Sequence, residues 1–290
     1  MLDKSLSALA VTGSPQVPDP VRPHRGSTIA IVQARMGSTR LPGKVLADLS
    51  GAPMLQRQLE RVSRAGTLDH IVVATSVDAA DDPIALLCEQ LSVDCYRGDL
   101  TDVLGRFVGA LDAIAERGIF NPEVVVRITA DCPLTSPVVI DAVVNAFFAS
   151  AGDFADCDYV SNTLRPTFPD GVDVEVVRAH ALREVARTST DLHEREHVTL
   201  GIYRRPEQFV VRNFSGETDL SDLRWTVDSP EDLEFVRWVY AELFEANPEF
   251  DLAEIIELLE VNIDKSRTNA QSHRNAALDG LDTGAMEHRC

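Results

Sequence analysis

The fold of this chain is decided by the stretch Thr28-Ile29-Ala30-Ile31-Val32-Gln33-Ala34-Arg35-Met36-Gly37-Ser38-Thr39-Arg40-Leu41-Pro42-Gly43-Lys44. Residues 28–32 are a short, mostly apolar and β-branched run, which is typical of a buried strand. The run then breaks into a loop that contains Gly37, Pro42 and Gly43. Because α/β proteins bind ligands at the carboxyl ends of their strands, we expect this loop to bind one.

The chemistry of the loop suits a polyanion. Gly37 and Ser38 leave backbone N–H groups free to approach phosphate oxygens closely. Three cations that can neutralise a triphosphate accompany them, namely Arg35, Arg40 and Lys44. The order differs from the GxxxxGK[ST] P-loop, because a valine follows the lysine where Ser or Thr would ligate the metal. An arginine-rich surface turn after a core strand is the alternative interpretation.

Downstream, the sequence alternates between strand and helix patterns. Strands are predicted over residues 70–75, 93–96 and 124–128, and helices over residues 53–65, 82–91, 101–117 and 137–149. Thr101 is the expected cap of its helix. Such alternation implies an α/β fold with a mostly parallel sheet and helices on both faces.

The strand 124–128 leads into Thr129-Ala130-Asp131-Cys132-Pro133-Leu134. A carboxylate just past a strand end, fixed by a following proline, is well placed to hold a Mg²⁺ that bridges phosphate oxygens. The alternative is that Asp131 only forms a turn or caps a helix. A similar signal occurs at Asp228, which is predicted to end a strand, with Ser229 as the cap and Pro230 in the first turn of a helix that runs to about residue 244. Asp228 has the same capping alternative.

Three further segments carry charged residues that allow two interpretations. Residues 172–177 alternate as a strand that places Asp173 and Glu175 on one face, which is also the pattern of a solvated edge strand. His193-Glu194-Arg195-Glu196-His197 matches the HExxH pattern of zinc proteases, a short pattern that chance easily produces. Asp102 and Arg106 can form an ion pair four residues apart on a solvated helix.

The segment QARMGSTRLPGKVL closely resembles the opening loop of the SpsF-like and acylneuraminate/KDO cytidylyltransferases, where this loop wraps the CTP. Residues 129–134 resemble the metal-binding turn of that family, and residues 226–233 resemble its TVDxPEDL box. Residues 169–176, 195–199 and 97–106 resemble its PxGxDVEV strand, REHVT segment and RGSxxDVLxR box. Gly105 replaces a usual acid in the last of these. The resemblance covers residues 28 to about 281.

This resemblance implies a GT-A-like, Rossmann-like nucleotidyltransferase that transfers CMP from CTP to an acidic sugar or phosphonate acceptor and releases pyrophosphate. It implies Mg²⁺ held by Asp131 and Asp228, with Arg35 and Lys44 as further catalytic residues. The nucleotide-binding residues that it implies are Gln33, Ala34, Arg35, Met36, Gly37, Ser38, Arg40, Lys44, Thr75, Asp102, Arg106 and Thr129. The acceptor-binding residues that it implies are Asp173, Glu175, Arg195, Glu196 and His197. It also implies a homodimer.

Two other functions stay open from the sequence. A GT-A glycosyltransferase shares the fold and holds its metal with a DxD motif, a string that Asp156-Cys157-Asp158 matches. A catalytically silent nucleotide-binding subunit is the second alternative, although none of the main loops is broken. The acceptor itself is not specified by any residue pattern.

The composition of the chain narrows the classes of partner and the cellular compartments that suit it. A net charge of −19 over 290 residues argues against nucleic acid or an anionic membrane as a partner, because both need a basic field. No apolar run approaches the roughly 20 residues of a membrane span. The five cysteines lack CxxC spacing, which favours reduced thiols in a cytoplasm. We expect a disordered leader over residues 1–26, the nucleotidyltransferase domain over residues 27–265 and a loosely ordered tail over residues 266–290.

Overall fold

The structure, a computed structural model, describes residues 27–119, 121–149, 152–154 and 156–266. The leader 1–26 and the tail beyond residue 266 lie outside the described residues. The strands are β1 (Thr28–Gln33), β2 (Asp48–Leu49), β3 (Ala52–Pro53), β4 (His70–Ser76), β5 (Asp94–Gly98), β6 (Val124–Thr129), β7 (Tyr159–Ser161), β8 (Glu175–Arg178) and β9 (Val211–Asn213). The helices are α1 (Met54–Val62), α2 (Asp82–Leu91), α3 (Val103–Glu116), α4 (Pro137–Phe147), α5 (Ala179–Thr188), α6 (Leu192–Glu196), α7 (Leu200–Tyr203), α8 (Pro230–Leu243), α9 (Leu252–Glu260) and α10 (Ile263–Ser266). None of these helices combines the length and the apolar character needed to cross a membrane.

The main sheet has seven strands in the order β5-β4-β1-β6-β8-β7-β9, and β2 pairs with β3 in a separate hairpin. The central strand β1 pairs in parallel with β4 and with β6. The pairs β4–β5 and β7–β9 are also parallel, whereas β8 is antiparallel to both of its neighbours. Six strands therefore point in one direction, and their carboxyl ends share one edge of the sheet. The predicted mostly parallel mixed sheet is confirmed.

Helices cover both faces of the sheet, as the sequence predicts. Ala30 and Val32 of β1 pack into a cluster with residues of α1, α2 and α4. Ile29 and Ile31 pack into a second cluster, on the opposite face, with residues of α3 and α5. Successive side chains of a strand point to opposite faces, so a strand that is covered twice must be apolar throughout. This requirement explains the unbroken apolar run that begins the chain's deciding stretch.

A third apolar cluster attaches the C-terminal helices to the sheet. It surrounds Trp225 and joins α8 and α9 to Leu49 of the small hairpin and to Met54 of α1. The buried Arg61 of α1 crosses this junction, and its guanidinium donates to the backbone oxygens of Thr135 at 2.7 Å and Phe250 at 2.8 Å. The segment that carries Asp228 is therefore held against the sheet by apolar packing on both of its sides.

Two predicted elements differ from the structure. The strand expected over residues 172–177 begins only at Glu175, and it lies between β6 and β7 rather than at an edge. The residues before Asp228 are not a strand, since a single bridge between Asp170 and Arg224 is the sheet-like pairing found there. Alternation of side chains indicates an extended backbone, but hydrogen-bonded pairing depends on a partner that the local pattern does not reveal.

The cap of α3 also differs from the prediction. Thr101 does not cap the helix, because the carboxylate of Asp102 accepts the hydrogen bond from the backbone N–H of Gly105 at 2.8 Å. Thr101 instead donates its hydroxyl and its backbone N–H to Asp99, each at 2.7 Å. An aspartate and a threonine are both good caps, so two adjacent candidates cannot be separated by residue type.

Candidate active site

The loop after β1 lies at the sheet edge where six strands end. It is closed by a hydrogen bond from the Gly43 N–H to the Met36 oxygen at 3.0 Å. Gly43 has a left-handed backbone with φ of 73°, which glycine adopts without steric cost. The chain then enters a 3-10 turn at Lys44. This geometry turns the lysine inward, whereas Arg35 and Arg40 of the same loop are exposed.

Lys44 brings the two predicted metal ligands together. Its buried ammonium donates to Asp228 Oδ1 at 2.9 Å and to the Val227 oxygen at 2.6 Å, and it lies 3.4 Å from Asp131 Oδ2. Burial lowers the pKa of Lys44, but the two carboxylates outweigh burial and the pKa is raised above its usual value. The ammonium is therefore charged at neutral pH and bridges the carboxylate that follows β6 and the carboxylate that precedes α8.

Asp228 is surrounded by cations. Arg224 donates to its Oδ2 at 2.5 Å, and the exposed Arg40 approaches the same oxygen at 3.2 Å. Burial raises the pKa of Asp228, but Lys44 and Arg224 lower it further than burial raises it. The carboxylate is therefore ionised at neutral pH, and it joins the loop after β1 to the segment that precedes α8.

Three features of the structure position the backbone around Asp228. The Val227 N–H donates to the Asp131 oxygen at 2.8 Å, which docks the segment on the turn after β6. Ser229 is the predicted cap of α8 and forms a capping box with Asp232, whose carboxylate also accepts from the Asp228 N–H at 2.9 Å. A Cβ on Gly171 would lie 2.7 Å from the backbone nitrogen of Thr226, so only glycine allows this close approach.

The donor set at this point suits a hard cation. The side chains of Asp131 and Asp228 remain 32% and 23% exposed, so each can still meet a ligand from solvent. Carboxylate oxygens are the ligands that Mg²⁺ prefers, usually one or two from the protein with the rest from phosphate and water. Within the part of the chain that the structure describes, no group of three or more His, Cys, Asp or Glu side chains forms a metal site. Two partly exposed carboxylates fit a cation whose remaining ligands come from a phosphate and from water.

Asp81 is a site residue that the sequence analysis missed. Its buried carboxylate accepts from the Met36 N–H at 2.7 Å and from the Ser76 hydroxyl at 2.5 Å, which ties the loop to the end of β4. Burial raises the pKa of Asp81, but these hydrogen bonds lower it below its usual value. Its position shortly after a strand end, like that of Asp131, was the signal that could have identified it.

The remaining residues predicted to bind the nucleotide differ in their exposure and in their hydrogen-bond partners. Gly37 is exposed, and the Ser38 hydroxyl accepts a hydrogen bond from the Leu41 N–H at 3.3 Å. Ala34 is buried, and its backbone N–H donates to the Ala74 oxygen at 3.1 Å. Thr75 is buried at the end of β4, and the Thr129 hydroxyl lies 3.3 Å from the Cys132 sulfur. All of them lie at or near the ends of β1, β4 and β6.

Asp102 and Arg106 do not pair with each other. Asp102 pairs with Arg195 of α6 at 2.5 Å, a contact between a predicted nucleotide residue and a predicted acceptor residue. Arg106 is buried and donates to the backbone oxygens of Asp99 at 3.1 Å and Leu100 at 3.2 Å. Burial lowers the pKa of Arg106, and the nearby Arg35 guanidinium lowers it as well. The ion pair four residues apart is therefore wrong.

Glu175 is placed differently from the other acceptor candidates. It is buried and ion-paired with Arg127, and it accepts hydrogen bonds from the hydroxyls of Tyr159 and Thr199. The solvated edge strand is thus wrong for this position. A carboxylate with these three partners acts inside the protein rather than as an open ligand-binding group.

Asp173, Glu196 and His197 are more accessible, since Asp173 and His197 are half-buried and Glu196 is exposed. Asn162 was not predicted as a site residue. Its side-chain amide donates to the Val172 oxygen at 3.0 Å and accepts from the Val174 N–H at 2.8 Å, so it fixes the backbone on both sides of Asp173. Burial raises the pKa of the Cys132 thiol, and the carboxylates of Asp131 and Asp173 raise it further. Asp173 also follows Asp170, which pairs with Arg224, and Arg224 pairs with Asp228, so this segment lies beside the site.

The structure supports neither of the competing motifs. Within HExxH, Glu194 is buried and paired with Arg205 at 2.7 Å, and α6 is only five residues long. Within the DxD string, Asp158 precedes β7 and accepts from the Val210 N–H at 2.9 Å. Because β7 runs parallel to β6 through β8, Asp158 lies at the sheet edge opposite Asp131. Neither motif meets the loop after β1.

Comparison with known proteins agrees with this geometry. The family model described as cytidylyltransferase matches residues 29–270. The chain is 33% identical to the spore coat polysaccharide biosynthesis protein SpsF of Bacillus subtilis, over 81% of this chain and 94% of that protein. It is 35% identical to the 8-amino-3,8-dideoxy-manno-octulosonate cytidylyltransferase of Shewanella frigidimarina, over 43% of this chain and 49% of that protein. A solved cytidylyltransferase from Leptospira borgpetersenii serovar Hardjo-bovis superposes with a TM-score of 0.76 at 27% identity, covering 86% of this chain and all of that one. The chain belongs to the cytidylyltransferase family.

Proposed function

We propose that this chain transfers CMP from CTP to an acidic sugar acceptor and releases pyrophosphate. The observation that carries the proposal is the Lys44 ammonium held between Asp131 and Asp228 beside the loop after β1. The loop adds two exposed arginines, Arg35 and Arg40, at the same edge. The choice of cytosine as the base rests on family membership. No residue of the site identifies the base by itself.

In the proposed step, an oxygen of the acceptor attacks the α-phosphorus of CTP in line with the leaving group. A new P–O bond forms, the bond from the α-phosphorus to the bridging oxygen breaks, and pyrophosphate leaves with that electron pair. A hydroxyl acceptor loses its proton to water. Such transfer depends mainly on positioning and on neutralising negative charge. Arg35 and Lys44 provide that charge, and a dedicated general base is absent among the described site residues.

Asp131 and Asp228 are the residues that would hold Mg²⁺. The ion would neutralise charge on the phosphate oxygens and lower the pKa of a bound hydroxyl. The protein's own contribution is to keep both carboxylates in place. Lys44 spans them, and Arg224 fixes Asp228 through a second pair with Asp170 at 2.5 Å. Magnesium dependence is part of the proposal and rests on this donor set and on the family resemblance.

The acceptor side is proposed to include Asp173, Arg195, Glu196 and His197. The Shewanella relative acts on an amino sugar acid, as its name states, which supports a sugar acid as the class of acceptor. Cytoplasmic location and a homodimer are further parts of the proposal and rest on the family. The cysteines in the described ranges, Cys88, Cys95, Cys132 and Cys157, are free thiols, which fits a reducing compartment.

The test is pyrophosphate release with Mg²⁺ and CTP, run beside UTP, ATP and GTP. The acceptors are 3-deoxy-manno-octulosonate, its 8-amino-8-deoxy form, an acylneuraminate and a phosphonate. The proposal predicts release with CTP and one of these acceptors. Release of a free nucleoside diphosphate from a nucleotide sugar would instead identify a glycosyltransferase. CTP binding without turnover of any acceptor would favour a silent subunit, and absence of nucleotide binding would overturn the proposal.

A further inference from the structure

A buried polar network runs across one face of the sheet from the end of β1 to the segment after α6. Its centre is Arg127 of β6, whose side chain is 14% exposed. The Arg127 Nε donates to Gln33 Oε1 at 3.0 Å, and the same guanidinium is ion-paired with Glu175 of β8. Gln33 is the last residue of β1, so the network begins at the edge where the site lies.

This contact determines the orientation of the Gln33 amide. An arginine side chain has five N–H donors and no acceptor, so the atom that faces it must be the amide oxygen. The amide NH₂ group therefore points away from Arg127. Gln33 is half-buried, and its Nε2 has no protein acceptor within the described ranges. The arrangement presents a fixed hydrogen-bond donor to whatever binds at the end of β1.

The other end of the network reaches the acceptor segment. The second oxygen of Glu175 accepts from the hydroxyls of Tyr159, at 2.7 Å, and Thr199. Thr199 follows His197 by two residues. Burial lowers the pKa of His197, and the Arg127 guanidinium contributes to the same lowering. Arg127 thus lies close to both the Gln33 amide and the segment that carries His197.

The position of Arg127 also directs the Gln33 side chain toward β6 and away from β4. Thr75 lies near the end of β4 and Asp81 follows that strand, on the side of β1 away from β6. In the sheet order β4-β1-β6-β8, Arg127 and Glu175 lie on the opposite side of β1. The Gln33 amide leans toward that side, away from the residues that tie the loop to β4.

We propose that Arg127 is a positioning residue that holds the Gln33 amide as a hydrogen-bond donor to an oxygen of the acceptor. Gln33 then selects the acceptor, through a carboxylate or hydroxyl oxygen, rather than the nucleotide. The inference rests on the proposed function. A donor whose orientation is set before binding loses no rotational freedom when the ligand arrives, and a site built to donate discriminates against analogues that lack the oxygen.

The test compares Gln33→Met with the wild type, using CTP and the sugar acid that gives release in the acceptor panel, beginning with 3-deoxy-manno-octulosonate. We expect the acceptor KM to rise about tenfold, because a hydrogen bond to a charged group is lost. The Kd for CTP, measured by calorimetry, should stay within about twofold of wild type. A larger change in the Kd for CTP than in the acceptor KM would overturn the inference, as would no change in either.

Arg127→Lys tests the positioning role. Lysine keeps the positive charge beside Glu175, but one ammonium cannot serve Glu175 and Gln33 in the fixed geometry of a guanidinium. We expect the acceptor KM to rise, and the double variant with Gln33→Met to resemble Gln33→Met alone. If the two substitutions raise the acceptor KM independently, so that their effects multiply in the double variant, Arg127 acts only on stability and the positioning role is overturned.

Gln33→Glu keeps the test decisive if Arg127→Lys does not fold. Glutamate retains an oxygen that accepts from Arg127, but it has no NH₂ donor. We expect an acceptor KM at least as high as that of Gln33→Met, and a normal KM would overturn the inference. The two proposals fail differently. Wild-type protein that does not bind CTP overturns the proposed function and this inference with it, whereas active wild type with an unaffected Gln33→Met overturns this inference alone.

Discussion

Two clusters of charged residues in this protein use similar side chains in opposite ways. At the sheet edge, Lys44 lies between Asp131 and Asp228, whose side chains are 32% and 23% exposed. Inside the sheet face, Arg127 and Glu175 are 14% and 9% exposed, and they exchange their hydrogen bonds with protein groups. The first cluster keeps carboxylates reachable from solvent, and the second closes them off. Exposure of the acid, rather than its charge, distinguishes a carboxylate that a ligand can reach from one that only protein groups contact.

The largest expected effect breaks the open cluster. Asp131→Asn should lower kcat about 100- to 1000-fold, because one charged ligand at the phosphates is lost. The melting temperature should hardly change, since Asp131 is partly exposed. Steady-state pyrophosphate release and thermal unfolding measure the two quantities. The control is Asp222→Asn at an exposed aspartate. Turnover that survives in Asp131→Asn would remove this residue from the reaction.

Opening the closed cluster should act on stability instead. Glu175→Gln leaves the buried Arg127 without its counter-charge, and we expect a loss of about 3 kcal/mol in the free energy of unfolding. Burial lowers the pKa of Arg127, but Glu175 raises it more, so the guanidinium stays charged and uncompensated in the variant. Urea unfolding measures the loss. Glu234→Gln, at an exposed position on α8, should change the same quantity by less than about 0.5 kcal/mol. Equal values for the two variants would contradict the distinction.

Asp102 lies between the two kinds of cluster, because it caps α3 and also pairs with Arg195. Asp102→Ala should cost about 1 kcal/mol of stability through loss of the cap, whereas Asp102→Asn should cost less because asparagine also caps helices. Urea unfolding separates the two variants. The Kd for CTP then sharpens the comparison. If both variants weaken CTP binding alike, although Asp102→Ala loses more stability than Asp102→Asn, Asp102 contacts the nucleotide as the family resemblance implies.

The smallest expected effect concerns acid pH. The pKa of Asp228 is lowered in the folded protein. Its contribution to stability is therefore fully present above the ordinary aspartate pKa of about 3.9, and it is lost as the pH falls below that value through the lower pKa of the folded state. The wild type should therefore lose more free energy of unfolding than Asp228→Asn between about pH 6 and about pH 3. Urea unfolding at several pH values measures this difference. Parallel pH profiles would show that Asp228 has no ionic partner in the folded state.

Much of the fold could be predicted from local patterns. The unbroken apolar run before the loop indicates a strand covered on both faces, and the alternation of strands and helices indicates a parallel sheet. The capping box at Ser229 is likewise a signal within four residues of sequence. The loop after β1 and the acids after β6 and before α8 were predicted as site residues for the same reason, since strand ends and helix starts are visible locally.

Other features were decided by the tertiary structure alone. Lys44 and Asp228 meet across 184 residues of sequence, and Asp102 meets Arg195 across 93. The alternating pattern of residues 172–177 cannot distinguish Asp173, which stays half-buried near the site, from Glu175, which is closed off by Arg127. Side-chain alternation reports which face a residue points to, but not what lies on that face. The sequence by itself therefore determined the sheet, the loop and the position of the acids along the chain, whereas packing decided which acids remain open to a ligand.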